Sequence, residues 1–318
     1  MREARFDARG SMIRWTEARG EESRRESGLG SSVTAEAALG RSVTGEAVPG
    51  RSVTGEAVPG SSVTGEAVPG SSVTGEAGPG ERPATVFVHG LGAASTVYHA
   101  HIAARPELAG RRILFVDLPG HGISDRPADF GYSLEDHADA LAAALDEAGV
   151  RGGVIAGHSM GGAVAIVLAH RRPDLVGRLV VTEGNLDPFP PPKAGSSGIA
   201  SYTEEEFVRG DGFARVLERV GPTWAATMRL ADPLALHRTA AHLVRGTEPV
   251  MREMFRESRA ERVYLQGELS GELPGADGLR AAGVDVVTVP GAGHNIMFDN
   301  PDAFTRAVAG TGAAGAPV

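Results

Sequence analysis

One short stretch of this chain reads as a strand, a sharp turn and a helix, and it constrains the fold more than any other feature. The stretch is Gly157-His158-Ser159-Met160-Gly161-Gly162. A short apolar run, Val154-Ile155-Ala156, precedes it. A helical pattern over 163–170 follows and stops at Arg171-Arg172-Pro173. A serine on such a turn projects its hydroxyl above the end of the strand, and the flanking glycines leave room for a tightly folded backbone. The helix starts just behind the serine, so the positive end of its dipole favours negative charge developing there.

The same alternation runs through the chain from Arg82 onward. Thr85-Val86-Phe87-Val88 is a buried-type strand that leads into His89-Gly90-Leu91-Gly92. Further apolar runs are 113–116, ending at Asp117; 153–156, before the serine turn; 179–181, ending at Thr182-Glu183; 263–265, ending at Gln266-Gly267; and 284–289, ending at Pro290-Gly291. Between them, 134–148 sets Leu134, Ala138, Leu141 and Leu145 on one helical face, and a closing helix begins near Pro301. Near-continuous apolar strands alternating with helices predict an α/β fold, a mostly parallel central sheet with helices on both faces. Residues 187–255 break the rhythm with Pro188-Phe189-Pro190-Pro191-Pro192 and then helical, aromatic-bearing segments. They predict an inserted helical cap over the C-terminal edge of the sheet. Residues 81–186 and 256–318 are then the two parts of the core.

Residues 31–80 are five copies of a ten-residue unit: SSVTAEAALG, RSVTGEAVPG, RSVTGEAVPG, SSVTGEAVPG and SSVTGEAGPG. Each has few large apolar residues, too few to offset the entropy of ordering it, so a disordered insertion or linker is expected here. The near identity of the copies points to tandem duplication tolerated in a surface loop. Within the N-terminal segment 1–30, residues 12–17 look like a strand, an antiparallel edge strand of the same sheet. The repeats would then lie between early strands, and residues 72–76 of the last copy offer a further edge strand.

Composition narrows the function. The formal net charge of −9 argues against nucleic acid as a partner and against a basic membrane-binding face. The chain has no cysteine, which excludes disulfides, thiolate chemistry and cysteine-ligated metals. No apolar run reaches membrane-spanning length. The first 15 residues are charged and lack the apolar core of a secretory signal, so the expected location is the cytoplasm. A small-molecule substrate is the expected partner, with no cofactor and no metal.

Four motifs now stand in order: His89-Gly90-x-Gly92, Asp117-Leu118-Pro119-Gly120-His121-Gly122-x-Ser124, Gly157-x-Ser159-x-Gly161 and Gly291-x-Gly293-His294. Together they resemble the α/β-hydrolase superfamily over residues 82–310, with the fold that bears its name. A serine hydroxyl needs a base to take its proton as it attacks a carbonyl. Of the ten histidines, only His294 follows the last strand in a glycine-rich turn, where the family places its general base. His158 adjoins the serine, but its side chain is expected to point elsewhere. His89, His121, Asp117 and Asp125 are expected to hold turns, and His99 and His101 to face solvent. The oxyanion formed on attack needs two preorganised N–H donors. Met160, after the nucleophile, supplies one, and the resemblance gives Leu91 as the other.

The acid that orients His294 has several candidates. Many family members carry an aspartate just beyond the penultimate strand, where this chain reads Gly267-Glu268-Leu269-Ser270-Gly271-Glu272 and the expected slot holds Ser270. A smaller set of relatives, haloalkane dehalogenases among them, places a glutamate after the strand that follows the nucleophile helix, which here is Glu183. Glu183 is the first choice, followed by Glu268, Asp187 and Glu272.

Dehalogenases and epoxide hydrolases of this superfamily use a carboxylate at the elbow, so Ser159 points to acyl transfer. The cap offers Phe189, Tyr202, Phe207, Phe213, Trp224, Met228, Met251, Met254 and Phe255 for an apolar pocket, although most are expected to form the cap's own core. No arginine cluster announces phosphate. These features imply a cofactor-free serine hydrolase, a carboxylesterase cleaving a small or medium, mostly apolar ester through an acyl-enzyme. A perhydrolase of haloperoxidase type or a carbon–carbon hydrolase would use the same triad. A ligand receptor on the same fold would use none.

Overall fold

The computed structural model describes residues 1–20, 82–189, 195 and 197–311. The decapeptide copies and the strand expected at 72–76 lie outside the described residues. Eight strands form one sheet: β1 (Arg2–Arg5), β2 (Met12–Arg19), β3 (Thr85–Val88), β4 (Arg112–Asp117), β5 (Gly153–His158), β6 (Val176–Thr182), β7 (Glu261–Gly267) and β8 (Asp285–Val289). Their order is β1-β2-β4-β3-β5-β6-β7-β8. The pairs β1–β2 and β2–β4 are antiparallel, and all later neighbours are parallel. Residues 12–17, read as an edge strand, lie in β2 and have β1 outside them. Sequence reasoning missed β1 because only Ala4 of its four residues is buried, leaving no alternation to detect.

The helices are α1 (Ser95–Ala103), α2 (Leu134–Glu147), α3 (Met160–Arg171), α4 (Glu204–Val208), α5 (Gly212–Arg219), α6 (Pro222–Met228), α7 (Pro233–Arg245), α8 (Met251–Glu257), α9 (Ala276–Ala281), α10 (Ile296–Asp299) and α11 (Pro301–Ala309). Alternation along the strands divides the core in two. Val86, Val88, Ile155, Leu179 and Val181 pack with α2 and α3 on one face. Phe87, Val154, Ala156, Val180 and Leu265 pack with Tyr98 of α1, Ile296 of α10 and Phe304 of α11 on the other. Burial of both faces explains why these strands read as continuous apolar runs.

Local chemistry sets the helix starts. Ser133 accepts from the Asp136 N–H at 3.0 Å, and the Asp136 side chain accepts the Ser133 N–H at 3.1 Å, a reciprocal cap for α2. Asn300 caps α11 by accepting from the Ala303 N–H, and Pro301 stands where a missing N–H costs nothing. Helices α4 to α8 occupy the connection between β6 and β7. The last of them, α8, spans the expected end of the cap at residue 255 and packs against α3. Met251, Met254 and Phe255 are buried there because one side of α8 has to cover the same apolar face as α3.

Candidate active site

Ser159 follows β5 and precedes α3, with φ 52° and ψ −118°. A non-glycine residue with positive φ stores roughly 1–3 kcal/mol of strain and persists only where its surroundings hold it. Two glycines provide that hold. A Cβ on Gly157 would fall 2.4 Å from the Gly161 carbonyl oxygen, and one on Gly161 would fall 2.4 Å from that of Val88. The Ser159 N–H donates to the Thr182 carbonyl at 2.9 Å and ties the elbow to the end of β6.

At that end Glu183 repeats the same backbone exception, with φ 51°. Its N–H donates to the Leu265 carbonyl at 2.9 Å. Its Oε1 accepts the Gly267 N–H at 2.6 Å, and its Oε2 lies 3.4 Å from Nδ1 of His294. The Tyr264 hydroxyl donates to the Gly184 carbonyl at 2.9 Å and braces the turn; burial pushes that phenol above its ordinary range. Gly184 in turn abuts Gly162 of α3, where a Cβ would come within 3.2 Å of the Gly184 Cα. The Glu183 side chain is 11% exposed and that of His294 is 47% exposed, so a sheltered carboxylate faces an open imidazole.

The other acidic candidates have different partners. Glu268 accepts the Gly291 N–H at 2.9 Å, Asp187 pairs with Arg252 at 2.6 Å, and Glu272 is exposed. Ser270 is exposed in a short turn after β7. Of the four acids weighed, only Glu183 reaches the His294 ring among the described residues. The end of β7 contributes a backbone donor to Glu183 in place of a carboxylate.

The His294 loop sits on β7 because Gly267 has no side chain. A Cβ there would lie 2.4 Å from the Ala292 oxygen and 2.5 Å from the Gly293 oxygen. Asp299 accepts the Gly293 N–H at 2.9 Å. His158 donates from Nε2 to the His294 carbonyl at 3.0 Å, with the two rings 4.9 Å apart. The His158 side chain thus goes to the His294 loop, with no hydrogen bond to Ser159 among the described residues. Residue 158 shares its face of β5 with Val154 and Ala156, which is the face where the His294 loop arrives. Burial holds His158 neutral, its pKa well below the usual histidine range. Sequence reasoning missed Asp299 altogether; its spacing from His294 was the only available signal.

On the other side of Ser159 runs the loop after β3. A Cβ on Gly90 would lie 3.0 Å from His158 Nδ1 and 3.3 Å from the Ser159 Cβ. The Gly90 carbonyl accepts from His89 Nδ1 at 2.8 Å and from the Ala93 N–H at 3.1 Å. Nε2 of His89 accepts the Leu118 N–H at 2.9 Å, which places the ring proton on Nδ1. Burial lowers this ring's pKa to about 4. The Gly90 oxygen and the Leu91 N–H belong to one peptide unit, so His89 fixes the direction of that N–H. Among the described residues neither the Leu91 nor the Met160 N–H has a protein acceptor, and no hydrogen bond joins Ser159 to His294. Such hydrogen bonds commonly tighten only when substrate is bound.

Asp117 is buried and accepts from the Ser95 and Ile123 N–H groups, holding its turn, whereas Asp125 accepts the Met12 N–H and pairs with Arg14, tying its loop to β2. His121 is also buried, with Nδ1 facing the Pro119 carbonyl. His101 reaches the Met297 carbonyl. His99 was expected at the surface and is instead buried, stacked on Phe87 and Phe304, with its pKa lowered to about 3. Its position on α1 turns it against β3 and α11.

Ser159, His158 and His294 open onto one cavity of about 80 Å³. Leu91, Tyr98, Phe189, Trp224, Leu243 and Val244 form its apolar wall, and Asn185, Ser197 and Asn295 add amide and hydroxyl groups. Of the side chains of 187–255 expected for a pocket, Phe189 and Trp224 line it, whereas Phe207 and Met228 are buried in the core.

Residues 85–307 match the alpha/beta hydrolase family. This chain is a member of that family of hydrolases. It is 30% identical over 224 residues to the esterase Rv0045c of Mycobacterium tuberculosis, with 70% of each chain covered. It is 42% identical over 101 residues to the sn-1-specific diacylglycerol lipase ABHD11 of Mus musculus, covering 32% of each chain. A 2-hydroxymuconate semialdehyde hydrolase of a Pseudomonas species is 30% identical over 154 residues, 48% of each chain. The matched stretch is thus about a third and about half the length of the last two relatives. Among solved structures, an esterase from Thermogutta terrifontis aligns with TM-score 0.58 at 22% identity, covering 72% of this chain and 89% of that one. An esterase from Exiguobacterium antarcticum aligns with TM-score 0.59 at 18% identity, covering 73% and 92%. At these identities the likeness shows the fold. Among the described residues no helix is long and apolar enough to cross a membrane.

Proposed function

We propose that this protein is a cofactor-free serine carboxylesterase that cleaves a small or medium, mostly apolar ester through an acyl-enzyme. The observation that carries the reading is the meeting of three groups from three strand ends. Ser159 is held at a strained elbow, and His294, 3.4 Å from Glu183, opens on the same cavity. In this reading Ser159 Oγ attacks the ester carbonyl while His294 Nε2 takes its proton. The Leu91 and Met160 N–H groups receive the oxyanion. Collapse of the intermediate breaks the C–O bond, and His294 returns the proton to the departing alcohol. A water, deprotonated by His294, then releases the acid. Glu183 holds the imidazole by its Nδ1–H and balances its charge when protonated.

The cavity supports a compact, uncharged substrate. Its volume of about 80 Å³ suits a short acyl chain. No arginine or lysine is among its described lining residues, so an anionic group would find no charge partner there. A second reading, carbon–carbon bond hydrolysis, rests on the 2-hydroxymuconate semialdehyde hydrolase relative.

The test is intact-mass labelling with a fluorophosphonate on wild type and Ser159→Ala, followed by a p-nitrophenyl ester series of increasing acyl length. One adduct on wild type, none on the variant and fastest turnover of short chains are expected. A folded wild type without adduct would overturn the reading. Inert esters together with turnover of 2-hydroxymuconate semialdehyde would favour the second reading.

A further inference from the structure

Trp224 belongs to α6 of the cap, yet its indole Nε1–H donates to the Leu91 carbonyl at 2.7 Å. Leu91 joins two peptide units of the loop beside Ser159. The first, Gly90 C=O with Leu91 N–H, is held by His89 and by the Ala93 N–H. The second, Leu91 C=O with Gly92 N–H, is held at its oxygen by Trp224. Its other neighbour is Gly92, at φ +68°, a residue that visits both signs of φ at little cost. The core therefore orients one side of Leu91, and the other side is anchored from the cap. Helix α6 also closes on Gly92 itself. A Cβ there would lie 3.1 Å from Trp224 Nε1 and 3.0 Å from Met228 Cε. A half-buried indole N–H ordinarily finds an acceptor, and the acceptor it has found is on the loop at the reaction centre.

We propose that Trp224 is a positioning residue: by holding the peptide that follows Leu91 it keeps the Leu91 N–H, already directed by His89, from drifting out of its oxyanion-binding position, so that the cap completes the oxyanion hole. This rests on the reading of Leu91 as an oxyanion donor. Donor geometry matters most in the transition state, because the charge on the carbonyl oxygen is largest there. Loss of the anchor therefore lowers kcat and leaves ground-state binding nearly unchanged. It also makes turnover depend on the cap being seated, since a lifted α6 takes the hydrogen bond with it.

The test compares wild type with Trp224→Phe and with a protein carrying benzothienylalanine at position 224, which keeps the ring shape and removes only the N–H. Both are expected to lose ~10–30-fold in kcat with KM within about twofold, a smaller effect than deleting a donor outright. Affinity for a short alkyl boronic acid, which places an oxygen in the hole, should fall by the same factor. The non-hydrolysable ether analogue of the substrate should bind as before. Unchanged kcat and boronate affinity in the benzothienyl protein, with Ser159→Ala inactive, would overturn the role of Trp224 alone. So would a raised KM at unchanged kcat, which marks a pocket wall. Turnover that survives Ser159→Ala would instead sink the underlying serine-hydrolase reading. Should Trp224→Phe fail to fold, the isosteric replacement decides the matter.

Discussion

The β3–β4 half of the sheet edge and the β6–β7 half use the same residue types in opposite ways. On the first half His89, His121 and Asp117 are buried and hydrogen-bonded into turns, and burial pushes both rings towards the neutral form. On the second half Glu183 and His294 face each other across 3.4 Å with the imidazole open to the cavity. The difference lies in what surrounds the side chains. An enclosed ring is held in its neutral form by burial, whereas His294 lies beside a sheltered carboxylate and lines the cavity. Burial thus separates the rings that hold turns from the pair proposed to react.

Acid provides the largest test of that contrast. His89, His99 and His121 fall from 6.5 to about 4, about 3 and about 3. Below pH 6.5 these three rings alone let the unfolded chain bind up to three more protons than the folded one, and His137 and His158, also lowered by burial, add to the difference. Stability falls as pH drops through this window, with the three rings contributing a limiting slope of ~4 kcal/mol per pH unit. Asp117, raised by burial, opposes this loss near the foot of the window, because its protonation favours the folded state. Urea midpoints at pH 7.5 and 5.0 should differ steeply; equal midpoints would show that these rings are not held neutral.

On the reactive half, Glu183→Gln keeps the shape but removes the charge facing His294, and should lower kcat by ~10²–10⁴ with the fold intact. Steady-state kinetics with a circular-dichroism control reads this, and near-wild-type turnover would leave the two halves without the proposed distinction. Gly267→Ala drives a methyl into the Ala292 and Gly293 oxygens, 2.4 and 2.5 Å away. The His294 loop must shift, and kcat should fall by about 10², with wild-type kinetics arguing that the loop is not seated on β7. The smallest effect belongs to Glu268→Gln. This acid braces the Gly291 turn and does not touch the imidazole, so a change within about threefold is expected. A loss as large as that of Glu183→Gln would transfer the acid role to β7.

Legibility followed the range of the interactions involved. The elbow was readable because its glycines and serine lie within five residues and the clash that Gly157 avoids is local, although the one Gly161 avoids is with Val88 of β3. The parallel strands were readable because burial on both faces leaves runs of apolar residues. β1 was not, since an edge strand with one buried residue carries no pattern. The histidine roles could be only partly anticipated: His89 was expected to hold a turn and does, while His99 was expected at the surface and is buried against Phe87 and Phe304. Burial of a single ring depends on which distant elements close over it.

By itself the sequence determined the α/β alternation, the serine turn between β5 and α3, and the glycine-rich turn that carries His294, because each follows from short-range sterics or from the period of apolar residues. Tertiary structure alone decided which carboxylate meets His294, since Glu183 and Glu268 stand at neighbouring strand ends and differ only in backbone direction and in what folds over them. It also brought Trp224 onto the Leu91 carbonyl, 133 residues away along the chain. Contacts of that kind depend on how the cap settles on the sheet, and no local pattern encodes the distance between two groups that the chain joins only by a long detour.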